Sequence, residues 1–367
     1  MKICAIKLGA RIASGGTSGG SGEALAILNM LSKHNEVHAY TKILPKDDPI
    51  DGVTLYDLVD KHESINDQSY DALVVINGSV NYFGGTDDPY QTLNYNIINN
   101  FKGKVFYILC DPNLTLKQIW PSVEKKEWAT NYKQEDIEIV RDDIIYISQP
   151  KDTVKILNDI QKHKIPVSEC YHYPLEKFPL MEECLTWKPL AFRDYDLLYG
   201  GTYRQGKRVD DMIKFYFDMD EFRTCMFGKI KLKDFPTKKV DGKVPPQFES
   251  GVPYQQFNEK MSNSVATVII GDKYYKEVND LAQRIYESIL SGVITFIDSD
   301  YDKEKRVFSH PILKDILYVD DANQLKDRLN KIKSLSENEF LELLTLQYND
   351  VIINVDDYCS EFSNLLK

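Results

Sequence analysis

Asp111 stands directly after the apolar run KVFYILC and directly before Pro112. A carboxylate past the end of a parallel strand faces the crevice where open α/β sheets bind ligands, and that is where a general base belongs. Before a proline it is also an ordinary turn former. Arg204 and Arg208 lie in TYRQGKR, a loop between the strand pattern DLLYGG and the helix pattern VDDMIKFYF. Two guanidiniums around a helix N-terminus suit a phosphate better than one. Arg284 and Glu287 are three apart in IIGDKYYKEVNDLAQRIYES, so they project from one helical surface. There the arginine suits phosphate and the carboxylate suits paired hydroxyls, with a surface ion pair as the plainer alternative. Glu23 opens the first helix pattern behind a loop rich in glycine and serine, where it either complements the helix dipole or faces a ligand. Tyr82 and Phe83, in SVNYFGG, could stack on a base or cap the core.

These residues need strands to carry them. KICAIKL, GARIASGGTSGGSG, EALAILNMLSKH and EVHAYT read as strand, loop, helix and strand, a βαβ opening. Its glycines do not form the GxGxxG dinucleotide fingerprint, which makes a nicotinamide oxidoreductase a poor reading. YDALVVING, KVFYILCDP and DIIYISQ add buried strands, and VKILNDIQKHK adds a helix. Prolines 174, 179 and 189 mark a linker between about residues 170 and 193. Beyond it, DLLYGG, VATVII, GVITFIDSDYD and DILYVDD read as strands. A helix is expected from about Asn279 with Leu281, Ile285 and Ile289 on one face, then LKDRLNKIK, and a helical C-terminus follows.

Composition sets the class. The 367 residues are 43% hydrophobic and 28% charged, which is globular and long enough for two domains. The N-terminus lacks a signal-peptide pattern and no run approaches a membrane span, so a cytoplasmic protein without a membrane partner is expected. Six cysteines without a CxxC pair read as reduced, buried thiols, and the six histidines show no metal-ligand spacing. A net charge of −11 weighs against a surface that grips nucleic acid everywhere. Between Lys229 and Lys243 lies the one basic stretch, including Lys231, Lys238 and Lys239, either a solvated loop or a contact for a phosphate backbone.

The segments VVINGSVNYFGG, FYILCDPNLTLKQIWPSV, IYISQ, YGGTYRQGKR and IIGDKYYKEVNDLAQRIYES, in that order and spanning nearly the whole chain, resemble the T-even bacteriophage DNA β-glucosyltransferase family. The resemblance implies a GT-B fold, two doubly wound Rossmann-like α/β domains facing across a cleft. Residues 1–175 would form the acceptor-side domain and residues 190–345 the UDP-sugar-binding domain. Residues 346–367 would form a helical segment packing back on the first. It implies an inverting glycosyltransferase that moves a sugar from a UDP-sugar to hydroxymethylcytosine in duplex phage DNA, as a monomer in the host cytoplasm. Asp111 falls on the catalytic base. Gly201, Thr202, Arg204, Arg208, Asp272, Tyr275, Arg284 and Glu287 fall on the donor site, which Glu23 also faces. Thr17 and Ser18 lie in the loop against the sugar, and that loop, richer here in glycine and serine, leaves glucose and arabinose both open. Asn81, Tyr82 and Phe83, with Lys231, Lys238 and Lys239, are expected on the acceptor and DNA side. Mg2+ or Mn2+ could assist the departing diphosphate, although no ligand cluster specifies one. The acidic balance keeps a transferase with a non-DNA or already glycosylated acceptor as the alternative.

Overall fold

The computed structural model describes residues 1–7, 19–43, 49–76, 89–109, 141, 143–148, 169–172, 187–201, 209–228, 236, 238–252, 256–271, 275–276, 281–352 and 355–367. The chain divides into two compact units, Met1–Leu180 with Asn354–Lys367, and Met181–Ile353.

The first unit is built from β1 (Lys2–Lys7), α1 (Gly19–Ser32), β2 (Glu36–Thr41), β3 (Val53–Asp57), α2 (Leu58–Lys61), α3 (Ser64–Asp67), β4 (Ala72–Ile76), α4 (Pro89–Asn100), β5 (Lys104–Leu109), β6 (Ile145–Ser148) and β7 (Glu169–His172). Its strands form one sheet in the order β3-β2-β1-β4-β5-β6-β7. Every pairing in it is parallel, with Ile3 opposite both Val37 and Ala72. Strands buried on both faces read as unbroken apolar runs, and β1 and β4 do so because helices cover both sides. The order reverses between β1 and β4, where a doubly wound sheet opens its crevice.

The second unit contains β8 (Tyr195–Gly200), α5 (Val209–Tyr216), β9 (Thr224–Gly228), β10 (Gln247–Ser250), α6 (Phe257–Ser262), β11 (Ser264–Ile269), α7 (Arg284–Leu290), β12 (Ile294–Asp298), α8 (Pro311–Leu317), β13 (Tyr318–Val319), α9 (Ala322–Lys333) and α10 (Glu337–Val351). Its sheet runs β10-β9-β8-β11-β12-β13, again all parallel. Counted within the unit, this is the 3-2-1-4-5-6 order of dinucleotide-binding domains, with the switch point between β8 and β11. Its core runs through Phe215, Tyr216, Phe296 and Leu329. The last helix, α11 (Val355–Leu365), belongs to the first unit. There the Asn35 amide donates to Leu31 O and to Ser363 Oγ, and Lys104 Nζ donates to the carbonyl of Lys367.

Several elements differ from the sequence expectation. Helix α1 begins at Gly19, so Glu23 sits one turn inside it and not at its start. Helix α7 begins at Arg284 and not near Asn279, because the Ala282 amide donates to the Tyr301 hydroxyl in place of a helical carbonyl. DILYVDD is strand only at Tyr318–Val319, because α8 runs to Leu317 and takes its first three residues. Residues 169–172, read as a way out of the first domain, form the edge strand β7. The C-terminal segment begins at Asn354, since α10 runs unbroken to Val351 in the second unit. Helix VKILNDIQKHK lies outside the described residues. Among the described cysteines, Cys4, Cys225 and Cys359 are buried, and burial pushes the Cys225 thiol up to about 12.

Candidate functional site

At the switch point of the second unit, neighbouring parallel strands end in glycine. β8 ends at Gly200 and continues into Gly201, β9 ends at Gly228, and Gly251 follows β10. The backbones meet too closely for side chains. A Cβ on Gly228, whose φ is +157°, would lie 1.5 Å from the Gly201 carbonyl oxygen, and one on Gly251 would lie 3.0 Å from the Gly228 carbonyl carbon. The Gly201 amide donates to Phe227 O at 2.9 Å. The strand ends therefore meet through glycine backbone, and the Tyr199 ring with its hydroxyl fills the place of a side chain at Gly201, the hydroxyl 2.8 Å from where a Cβ would lie.

The space above Gly200 is filled by aromatic rings. A Cβ there would meet Phe257 Cε2 at 2.6 Å and Phe227 Cζ at 2.8 Å. The Arg284 guanidinium carbon lies 3.8 Å from the centre of the Phe257 ring, a cation–π stack. Arg284 Nη1 lies 2.9 Å from Glu287 Oε2. Phe257 thus carries Arg284 and Glu287 to the switch point where Gly201 begins. The pair is not a surface ion pair: Glu287 is only 6% exposed. Nη1 is buried, and its ion pair with Glu287 lies outside hydrogen-bonding geometry. Neither Phe257 nor Gly228 carried a signal in the sequence. The single pointer to either was a glycine at the end of an apolar run, FRTCMFG.

A second group lies at the carboxyl end of β12. Asp298, its last residue, is fully buried and accepts from Lys214 Nζ at 3.0 Å and from Lys276 Nζ at 3.2 Å. Lys276 also reaches Asp211 Oδ2 at 2.9 Å and Asp300 Oδ2 at 3.0 Å. Burial works against the charge on Lys276, and the hydrogen bond it donates to Asp211, with the other carboxylates, overcomes it, so its pKa is raised. The hydrogen bond from Lys276 holds Asp300 below the usual carboxylate range, whereas burial pushes Asp211 above it. Tyr275, half-buried against the core, is the neighbour of this lysine in the chain.

The structure therefore brings Arg284 and Glu287 together on Phe257, which packs on Gly200, the residue before Gly201, and sets Tyr275 beside the Lys276 cluster. Lys238 and Lys239 are exposed and lead into a tight turn in which Val240 and Lys243 exchange backbone hydrogen bonds across Asp241 and Gly242, both at positive φ. Glu23 has its backbone in α1, with its side chain outside the described residues. Asp111, Thr17, Ser18, Asn81, Tyr82, Phe83, Thr202, Arg204, Arg208, Lys231 and Asp272 also lie outside them. No group of three metal-ligating side chains occurs among the described residues. The nearest acidic trio, Asp211, Asp298 and Asp300, is closed around Lys276, so these residues do not fit a resident metal ion. No helix among the described residues is long and apolar enough to cross a membrane.

Comparison with known proteins gives a consistent result. The family model described as bacteriophage T4 β-glucosyltransferase matches residues 1–179. The DNA β-glucosyltransferase of Enterobacteria phage T4 is 31% identical over 288 residues, covering 78% of this chain and 79% of that protein. A solved structure of the T4 phage enzyme with UDP and Mn2+ superposes with a TM-score of 0.76 at 26% identity, over 100% of both chains. An α-glucosyltransferase bound to UDP and a 13-mer DNA shares the fold, with a TM-score of 0.65 at 14% identity over 100% of this chain and 99% of that one.

Proposed function

The chain belongs to the bacteriophage T4 β-glucosyltransferase family, and on that premise we propose that it is a UDP-sugar-dependent DNA glycosyltransferase. The observation that carries the donor half of this reading is the switch point of the second unit. There Gly201 and Gly228 meet backbone to backbone, and Phe257, packed on Gly200, carries an arginine paired with the buried Glu287. That is a site for a diphosphate and the diol of a ribose. Arg284 serves the phosphate side, Glu287 the ribose, and Tyr275 with Asp272 the diphosphate and sugar end. Arg204 and Arg208 neutralise the charge that develops as UDP leaves, helped by the N-terminus of α5 behind them.

Asp111 takes the proton from the acceptor hydroxyl, which attacks the anomeric carbon in line with departing UDP and inverts it. The acceptor is the hydroxymethyl group of hydroxymethylcytosine in duplex DNA, reached once the base is flipped out and stacked on Tyr82 or Phe83. Thr17, Ser18 and Glu23 lie on the sugar side. Lys231, Lys238 and Lys239 meet the DNA backbone. A divalent ion, such as the Mn2+ bound with UDP in the T4 phage enzyme, would help the diphosphate leave. The chain acts as a monomer in the host cytoplasm.

A donor panel tests the reading: duplex DNA containing hydroxymethylcytosine with UDP-glucose or UDP-arabinose, read by the mass of the digested nucleosides. One donor is expected to add its sugar mass, and Asp111→Asn is expected to cut kcat by about 10²–10⁴. Product only on DNA that already carries a sugar would move the acceptor to a glycosylated base, whereas the net charge of −11 favours an acceptor other than DNA.

A further inference from the structure

The segment that follows β12 is itself rigid. The Ser299 amide donates to Val319 O at 3.0 Å, which ties the turn to β13, and the Tyr301 amide donates back to Asp298 O at 2.9 Å. From this base three side chains, Asp298, Asp300 and Tyr301, grip the connection between β11 and α7 at separate points. The Tyr301 ring, 1% exposed, fills the place of a side chain at Gly271, where a Cβ would lie 2.3 Å from its Cδ2. Its hydroxyl accepts from the Ala282 amide at 2.5 Å. Both flanks of the connection thus rest on one tyrosine. Between them, Lys276 Nζ is held by Asp298 and Asp300 of the same segment and by Asp211 of α5. Asp298 in turn holds Lys214 of α5.

We propose that Lys276 and Tyr301 are positioning residues for donor binding. They fix the β11–α7 connection, which carries Tyr275 and leads into Arg284, against α5, which follows the connection from β8. The inference rests on the donor site proposed above. Neither side chain needs to touch the donor. Each acts by holding Tyr275 and the start of α7 at one distance from the Gly201 rim, so their loss appears in donor affinity more than in turnover. Lys276 has a second consequence. It neutralises carboxylates that would otherwise repel a diphosphate on the same side of the sheet.

The test uses the full chain. UDP affinity is measured by calorimetry, kinetic constants are measured for the UDP-sugar and the DNA, and thermal unfolding is followed in parallel, for Lys276→Met, Lys276→Arg and Tyr301→Phe. Lys276→Met is expected to weaken UDP and raise the donor KM about tenfold, with kcat and the DNA KM within about threefold of the unchanged protein. Lys276→Arg keeps the charge and should recover most of that loss, and Tyr301→Phe, which keeps the ring, should weaken UDP about threefold. UDP affinity unchanged in both Lys276→Met and Tyr301→Phe overturns the proposal, as does an equal loss in kcat and donor affinity. If Lys276→Met does not fold, Asp300→Asn and Tyr301→Phe carry the same test, and unchanged UDP affinity in both again overturns it. If the unchanged protein itself binds no UDP, the donor reading falls and this inference falls with it, an outcome told apart by that one control.

Discussion

Arg284 shows how a residue type legible in sequence acquires its meaning from one that is not. The i, i+3 spacing to Glu287 and the position after an apolar strand pattern are readable without coordinates. Phe257, on which the guanidinium lies at 3.8 Å, is an isolated aromatic in a helix that precedes the strand, and no spacing rule links it to Arg284. A cation stacked in a partly desolvated place gains about 0.5–2 kcal/mol, and the ring also fixes the direction of the fork. Phe257→Leu keeps most of the apolar volume and removes the π face. Calorimetry should therefore find UDP binding about threefold to tenfold weaker, with only a small fall in the unfolding midpoint. Unchanged affinity would leave Phe257 as core filling alone.

Among the elements, the entry to the second unit is held by a buried arginine. Arg193, 2% exposed, donates to the carbonyls of Lys188, Ser264 and Gly292 and lies 4.8 Å from the Phe340 ring centre. Burial lowers its pKa to about 10. Arg193→Met would leave those carbonyls without their donor, and urea unfolding should show a loss of about 3–5 kcal/mol. Next to it, Asp196 is buried, which disfavours its charge, yet hydrogen bonds from Arg223 and Lys333 bring its pKa below the ordinary 3.8. A folded-state pKa below the unfolded value stabilises above pH 3.8 and is lost as pH falls through the lower value. The acid limb of a midpoint-against-pH curve should therefore flatten in Asp196→Asn. The central strands were legible because both faces are covered and the apolar runs are unbroken, as in β4, β11 and β12. The missed strands are β3 and β10, whose half-exposed residues leave no such run, and β7 and β9, which are only four and five residues long. β13 is two residues long, too short for any period to register.

For the molecule as a whole, a net charge of −11 must be reconciled with a polyanionic acceptor. Long-range repulsion between two polyanions is screened within about 8 Å at physiological salt, so a local basic patch can outweigh the global balance at contact distance. The proposed patch is the stretch from Lys229 to Lys243, of which Lys238 and Lys239 stand exposed ahead of the turn at Asp241 and Gly242. Each lysine that displaces a condensed counterion adds about 0.9 to the slope of log affinity against log salt on duplex DNA. Affinity for a hydroxymethylcytosine duplex should therefore fall as salt rises. The double variant Lys238→Ala with Lys239→Ala should weaken binding at low salt and lower the slope by about 1–2. Its UDP affinity should stay as it was, because neither lysine belongs to the switch-point rim. A double variant with the same slope as the unchanged protein would show that DNA meets another surface, and a salt-independent affinity in the unchanged protein would remove the duplex backbone from the interface altogether.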